Sequence, residues 1–116
     1  MSSGQMRFFS TALGRMVRFN VLIPNGRGPY PVLYLLHGRG DDCDGWLRHT
    51  NIELLFAAHR LIVVMPEAAT SYYLNTPGPA GERYEDFLLE DLLPYVERTF
   101  PAVADRNGRA LAGLSM

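Results

Sequence analysis

At 116 residues, 47% of them hydrophobic and 20% charged, the chain has the make-up of a single globular domain able to bury a core. A net charge of −1, with acids and bases interspersed and neither a basic stripe nor an arginine-rich helix, leaves no basis for a nucleic-acid or anionic-membrane surface. The apolar runs are too short to span a bilayer, residues 1–5 lack the plan of a secretory leader, and the lone Cys43 has no partner in the chain, which together point to a cytoplasmic setting.

Residues 16–23 alternate, with Val17, Phe19, Val21 and Ile23 on one face and Arg18 and Asn20 on the other. Period two with one polar face predicts a half-buried strand near a sheet edge. Residues 5–10 supply its antiparallel neighbour, joined through Leu13-Gly14. Pro24-Asn25-Gly26-Arg27-Gly28-Pro29 is a turn cluster. The pattern then changes. Val32-Leu33-Tyr34-Leu35-Leu36 and Leu61-Ile62-Val63-Val64-Met65 are continuously apolar, as strands covered on both faces are.

Between those strands, Thr50-Asn51-Ile52-Glu53 matches a capping box and predicts a helix with Leu54, Leu55 and Ala58 as its apolar face. Residues 84–99 predict a second helix, with Leu88, Leu92, Tyr95 or Val96, and Thr99 at helical spacing. Pro94 lies inside it and predicts a kink, because it cannot serve the Glu90 carbonyl. Phe100-Pro101 ends that helix, residues 105–108 turn, and residues 109–114 form a last buried strand of small residues. The order predicts an α/β fold: antiparallel first strands, then a parallel sheet with crossover helices. Ligands of such sheets bind beyond the carboxyl ends of the strands, where residues 37–46, 66–83 and 115–116 lie.

Gly113-Leu114-Ser115-Met116 reads as the opening of a Gly-x-Ser-x-Gly nucleophile elbow, whose final glycine would follow Met116. Ser115 is therefore the candidate nucleophile, a hydroxyl that needs an adjacent base. His37-Gly38-Arg39-Gly40 follows the third strand directly. A glycine-flanked turn there can aim backbone N–H groups at a developing oxyanion, which assigns that role to Arg39 and Met116. His37, at a strand end, is read as a structural hydrogen-bonding residue rather than the base. Asp41-Asp42-Cys43-Asp44-Gly45 fails the calcium-loop pattern and is read as a solvated polar loop. Cys43 is read as an ordinary thiol, because nothing basic stands beside it. Trp46 packs that loop onto the core, with pocket lining as a second role. Tyr72, Tyr73 and Asn75 lie in a long segment and are candidates to shape an acyl or alcohol pocket; tyrosines that pin a loop fit equally well. His49 and His59 are assigned to the surface. No metal or cofactor is expected.

Several stretches occur together in order. Phe9-Ser10 with Leu13-Gly14-Arg15, Leu35-Leu36-His37-Gly38, Trp46-Leu47-Arg48, Thr50-Asn51-Ile52-Glu53 and Val64-Met65-Pro66-Glu67 come first. Arg83-Tyr84-Glu85-Asp86, Glu97-Arg98-Thr99-Phe100-Pro101 and Ala112-Gly113-Leu114-Ser115-Met116 complete the set. This combination resembles the serine esterase family of α/β-hydrolases that includes esterase D (S-formylglutathione hydrolase), tributyrin-type acetylesterases and mycolyltransferases. The resemblance covers nearly the whole chain. It implies an α/β-hydrolase fold and hydrolysis of small carboxylic esters or thioesters through an acyl-serine. Ser115 matches the family nucleophile, and Arg39 and Met116 match its oxyanion-hole positions.

The family's acid and histidine base lie downstream of the nucleophile, and no histidine here matches the base. Residues 1–116 are thus expected to be the N-terminal portion of a single hydrolase domain, truncated after the nucleophile strand and catalytically incomplete. Two other readings stay open. One is a non-catalytic interaction module that pairs through its last strand. The other is an acyltransferase sharing the first chemical steps.

Overall fold

Alternating apolar and polar residues open the chain, and the computed structural model, which describes residues 1–116, folds them into two long strands. β1 (Ser2–Ser10) and β2 (Arg15–Ile23) pair antiparallel across Gly14, whose φ of +64° suits a residue without a side chain. β3 (Val32–Leu36), β4 (Ile62–Pro66) and β5 (Arg109–Gly113) complete a five-stranded sheet in the order β1-β2-β4-β3-β5. β4 and β5 run parallel to β3, and β2 is antiparallel to β4. This is the expected α/β plan of antiparallel first strands followed by a parallel sheet.

β4 shows why its sequence is apolar throughout. Ile62 and Val64 enter one core and Val63 and Met65 another, on opposite faces of the sheet. One face is covered by a helical stretch made of α3 (Tyr84–Asp86), a π-helical segment (Phe87–Leu92) and α4 (Leu93–Thr99). The other is covered by α1 (Gly45–His49) and α2 (Ile52–Ala57). The larger core is aromatic. Phe8 stacks on Tyr95 with ring centroids 4.5 Å apart, and Phe19 meets Phe8, Tyr95 and Phe100 edge to face. Asp91 ties the hairpin to the helix by accepting from the Ser10 hydroxyl (2.6 Å) and the Ala12 N–H (2.9 Å). No helix is long and apolar enough to cross a membrane.

Local expectations are corrected in five places. The polar face of β2 is only part-solvated: the Arg18 side chain is 42% exposed, but Asn20 is buried, because the loop before α1 lies over it. Thr50 is not the N-cap of α2 but the residue that closes α1, since the chain is already helical through His49. Its hydroxyl donates back to the Trp46 carbonyl and accepts from Ile52 N–H, and Asn51 takes the cap position without a side-chain bond. Leu54, Leu55 and Ala58 face outward, with Leu54 76% exposed, because Ile52 and Phe56 are the pair that turn inward.

The disturbance foreseen at Pro94 takes the form of the π segment, in which Leu93 N–H reaches back to the Leu88 carbonyl. Pro94 then falls in the first turn of α4, where a missing N–H matters least. The extra residue in that widened turn shifts the buried set to Tyr84, Phe87, Leu92 and Val96 and leaves Leu88 at the margin. Finally, β5 is exposed along its whole length rather than buried. Apolar side chains flank it on both faces, and Leu111 and Leu114 are 71% and 60% exposed.

Candidate active site

Three parallel strands end side by side, and their carboxyl ends bring together the loops that begin at His37, Glu67 and Leu114. Small residues let them approach. A Cβ on Gly113 would stand 3.3 Å from Leu36 Cβ, and one on Gly38 would stand 3.1 Å from the Leu114 carbonyl and 3.6 Å from Ser115 Cβ. The His37-Gly38 loop therefore touches the chain at Ser115. Ser115 itself is exposed and left-handed, with φ of +61°. That conformation is costly for a residue with a side chain, and such strain collects at functional turns. The other left-handed non-glycine residues, Ala69, Tyr72 and Tyr73, all lie in the loop that follows β4.

His37 is buried, and both its ring nitrogens are engaged. Nε2 accepts from Ala68 N–H at 3.0 Å, which leaves the proton on Nδ1 to be donated to the Gly38 carbonyl at 2.8 Å. The Tyr73 hydroxyl donates to the His37 carbonyl at 2.7 Å. Burial holds that phenol above its ordinary value of 10.0, so it remains a donor. Beyond Gly38, a turn closes with Asp41 N–H on the Gly38 carbonyl at 3.2 Å, with Gly40 at φ of +77°. Neither the Arg39 nor the Met116 N–H is engaged in a hydrogen bond within the chain.

Of the proposed pocket residues, the structure brings Trp46 into place. It lines a small pocket with His37, Gly38, His49, Thr50 and Leu114, and its indole N–H donates to the Leu36 carbonyl at 3.2 Å. Tyr73 sits against His37 with ring centroids 6.0 Å apart. Tyr72 and Asn75 do not line that pocket. Tyr72 is exposed, and Asn75 accepts from Asp86 N–H at the start of the helical stretch. His49 borders the pocket, but its Nε2 is taken by Arg48.

The sequence does not single out Glu67, yet it stitches this end of the sheet. Its carboxylate accepts from Cys43 N–H (3.0 Å) and Ala69 N–H (3.3 Å) and pairs with Arg18 (3.5 Å). The available signal is its position, an acid directly after the strand-ending Pro66. The acidic loop is likewise docked rather than freely solvated. Asp44 accepts from Asn20 Nδ2 at 2.7 Å, and Asp41 and Asp42 both receive Arg48. A Cβ on Gly45 would meet the Asp41 carboxylate, which would have to swing aside to admit a side chain there.

Cys43 within this loop is buried, and burial, aided by the neighbouring Asp44 charge, pushes its thiol up to about 12. At pH 8 the folded chain should therefore hold about a thousandfold less thiolate than an ordinary cysteine. Alkylation by iodoacetamide at pH 8 is expected to be negligible until urea unfolds the chain; rapid labelling without denaturant would contradict the burial. The sign for stability follows. The unfolded thiol releases its proton near 9.0 and the folded one near 12, so this contribution is intact below pH 9 and is lost as pH climbs towards 12.

A family model described as "Putative esterase" matches residues 10–116. An esterase of Mycobacterium tuberculosis is 38% identical over 121 residues, covering 95% of this chain and 26% of the relative. An endo-1,4-beta-xylanase/feruloyl esterase of Xylanibacter ruminicola is 34% identical over 129 residues, covering 97% of this chain and 18% of the relative. Among solved structures, the fluorophosphonate-binding serine hydrolase F of Staphylococcus aureus superposes with a TM-score of 0.87 at 28% identity. That match covers 97% of this chain and 46% of the staphylococcal one. The chain thus spans about a quarter or less of these curated relatives and about half of the solved structure.

Proposed function

This chain belongs to the Esterase family, and from that premise we propose that it carries the nucleophile half of a serine carboxylesterase. Residues 1–116 are then the N-terminal portion of one esterase domain. Ser115 attacks the carbonyl carbon of a small ester or thioester and forms an acyl-serine, which water then hydrolyses. The backbone N–H groups of Arg39 and Met116 receive the negative charge that develops on the acyl oxygen. Trp46 forms a wall of the acyl pocket. The family resemblance places the histidine base and its acid outside this chain, in keeping with a His37 whose two ring nitrogens are both engaged by backbone.

The observation that carries this reading is the left-handed Ser115, held in contact with the Gly38 turn. A chimera tests it. Residues 1–116 are joined to the remaining half of the staphylococcal serine hydrolase, whose first half they match. The folded chimera is expected to hydrolyse p-nitrophenyl acetate, and Ser115→Ala to lower kcat by about 10⁴-fold or more. A folded chimera whose activity ignores Ser115→Ala would overturn the assignment.

The exposed β5 favours one second reading, a non-catalytic module that adds a strand from another chain to its open edge. A folded chimera without activity would favour that reading.

A further inference from the structure

We propose that His37 is a positioning residue whose single neutral tautomer sets the plane of the Gly38–Arg39 peptide and so aims the Arg39 N–H. The inference rests on the reading of Ser115 and Arg39 given above. A backbone N–H is always a donor, so Ala68 N–H at 3.0 Å fixes His37 Nε2 as an acceptor. The ring's one proton must then sit on Nδ1, 2.8 Å from the Gly38 carbonyl. The opposite tautomer, or a doubly protonated ring, would set two N–H groups against each other at Ala68. The ring is 2% exposed, so water cannot replace either partner.

The Gly38 carbonyl is thereby held twice, by His37 Nδ1–H and by Asp41 N–H. The preceding carbonyl is held by the Tyr73 hydroxyl. In a trans peptide the C=O and N–H of one unit point in opposite directions within a rigid plane. Pinning the Gly38 oxygen towards the buried ring therefore turns the Arg39 N–H away from it, with no acceptor in the chain. The far side of the lock is anchored too. Glu67 takes the N–H groups of Cys43 and Ala69, and its Oε1 stands 3.9 Å from His37 Nε2, beyond hydrogen-bond reach, so Ala68 N–H remains the partner of that nitrogen. A flip of this peptide would break two hydrogen bonds and turn the Arg39 N–H towards the buried ring.

Nuclear magnetic resonance on the 116-residue chain tests the inference. The long-range ¹H–¹⁵N pattern of His37 is expected to show the neutral Nδ1–H tautomer, with a through-hydrogen-bond coupling between Ala68 N and His37 Nε2. An Nε2–H tautomer, or loss of that coupling in the folded chain, overturns the proposal. His37→Phe keeps the packing and loses both bonds, and the residual dipolar coupling of Arg39 N–H is expected to shift. His37→Asn keeps a donor at the Nδ1 position and should restore the parent value. An unchanged Arg39 coupling in folded His37→Phe shows a merely structural ring and sinks the idea. Should His37→Phe not fold, the His37→Asn chain decides, and a shifted Arg39 coupling there counts against the lock. None of these readouts involves Ser115 or an ester. Failure here leaves the esterase reading standing, and an inactive chimera leaves the peptide-plane result standing.

Discussion

The 116-residue chain on its own is expected to hydrolyse p-nitrophenyl acetate at the background rate, with Ser115→Ala indistinguishable from the parent. The reason is the fate of its three histidines. His37 donates through one nitrogen and accepts through the other, both towards backbone. His49 is held by Arg48, and His59 lies against Phe56 with ring centroids 5.9 Å apart. No histidine of the chain is hydrogen-bonded to Ser115. A serine hydroxyl without a base is a poor nucleophile, and removal of the base from a serine hydrolase costs about 10⁴- to 10⁶-fold. Spectrophotometric assay of parent and variant decides the matter. Turnover well above background, abolished by Ser115→Ala, would show that a base has been overlooked.

Phe19→Ala is expected to destabilise the chain by about 3–5 kcal/mol, a large part of the roughly 5–15 kcal/mol that domains of this kind possess. Phe19 is fully buried and meets Phe8, Tyr95 and Phe100, so it joins both strands of the first hairpin to α4. Truncation leaves a cavity walled by rings that cannot collapse into it without breaking the Phe8–Tyr95 stack. Leu54→Ala is the matched comparison. Its side chain is 76% exposed, and the change is expected to stay within about 0.5 kcal/mol. Urea midpoints of the two variants against the parent give the measurement. Similar midpoints for both would mean that the aromatic cluster does not carry the fold.

What can be read in the sequence is what periodicity records. The unbroken apolar runs at β3 and β4 announce strands covered on both faces, and the small residues before Ser115 announce a strand that meets neighbours closely. The close approach of the Ser115 and His37-Gly38 segments is readable because it depends on adjacent glycines. The rest depends on pairs far apart along the chain. Nothing in residues 84–99 marks the extra residue of the π segment, which shifts the buried face from Leu88 to Phe87. Nothing near Asn20 shows that the Asp44 loop will cover it. Leu54 and Leu55 satisfy a helical pattern, yet with only six residues in α2, Ile52 and Phe56 suffice to dock it. Glu67 and Ala68 matter through loops that the tertiary fold alone brings together.

All of the sheet pairing made by β5 is with β3, and neither of its faces is covered. The aromatic ballast of the molecule lies at the opposite side of the sheet. Ser115 thus follows an exposed edge strand with a single pairing partner, the kind of element that opens at low free energy. Any layer that settles over Leu111 and Ala112 would stiffen the bend that presents the serine. In this architecture, completing the sheet and rigidifying the turn at Ser115 are the same event.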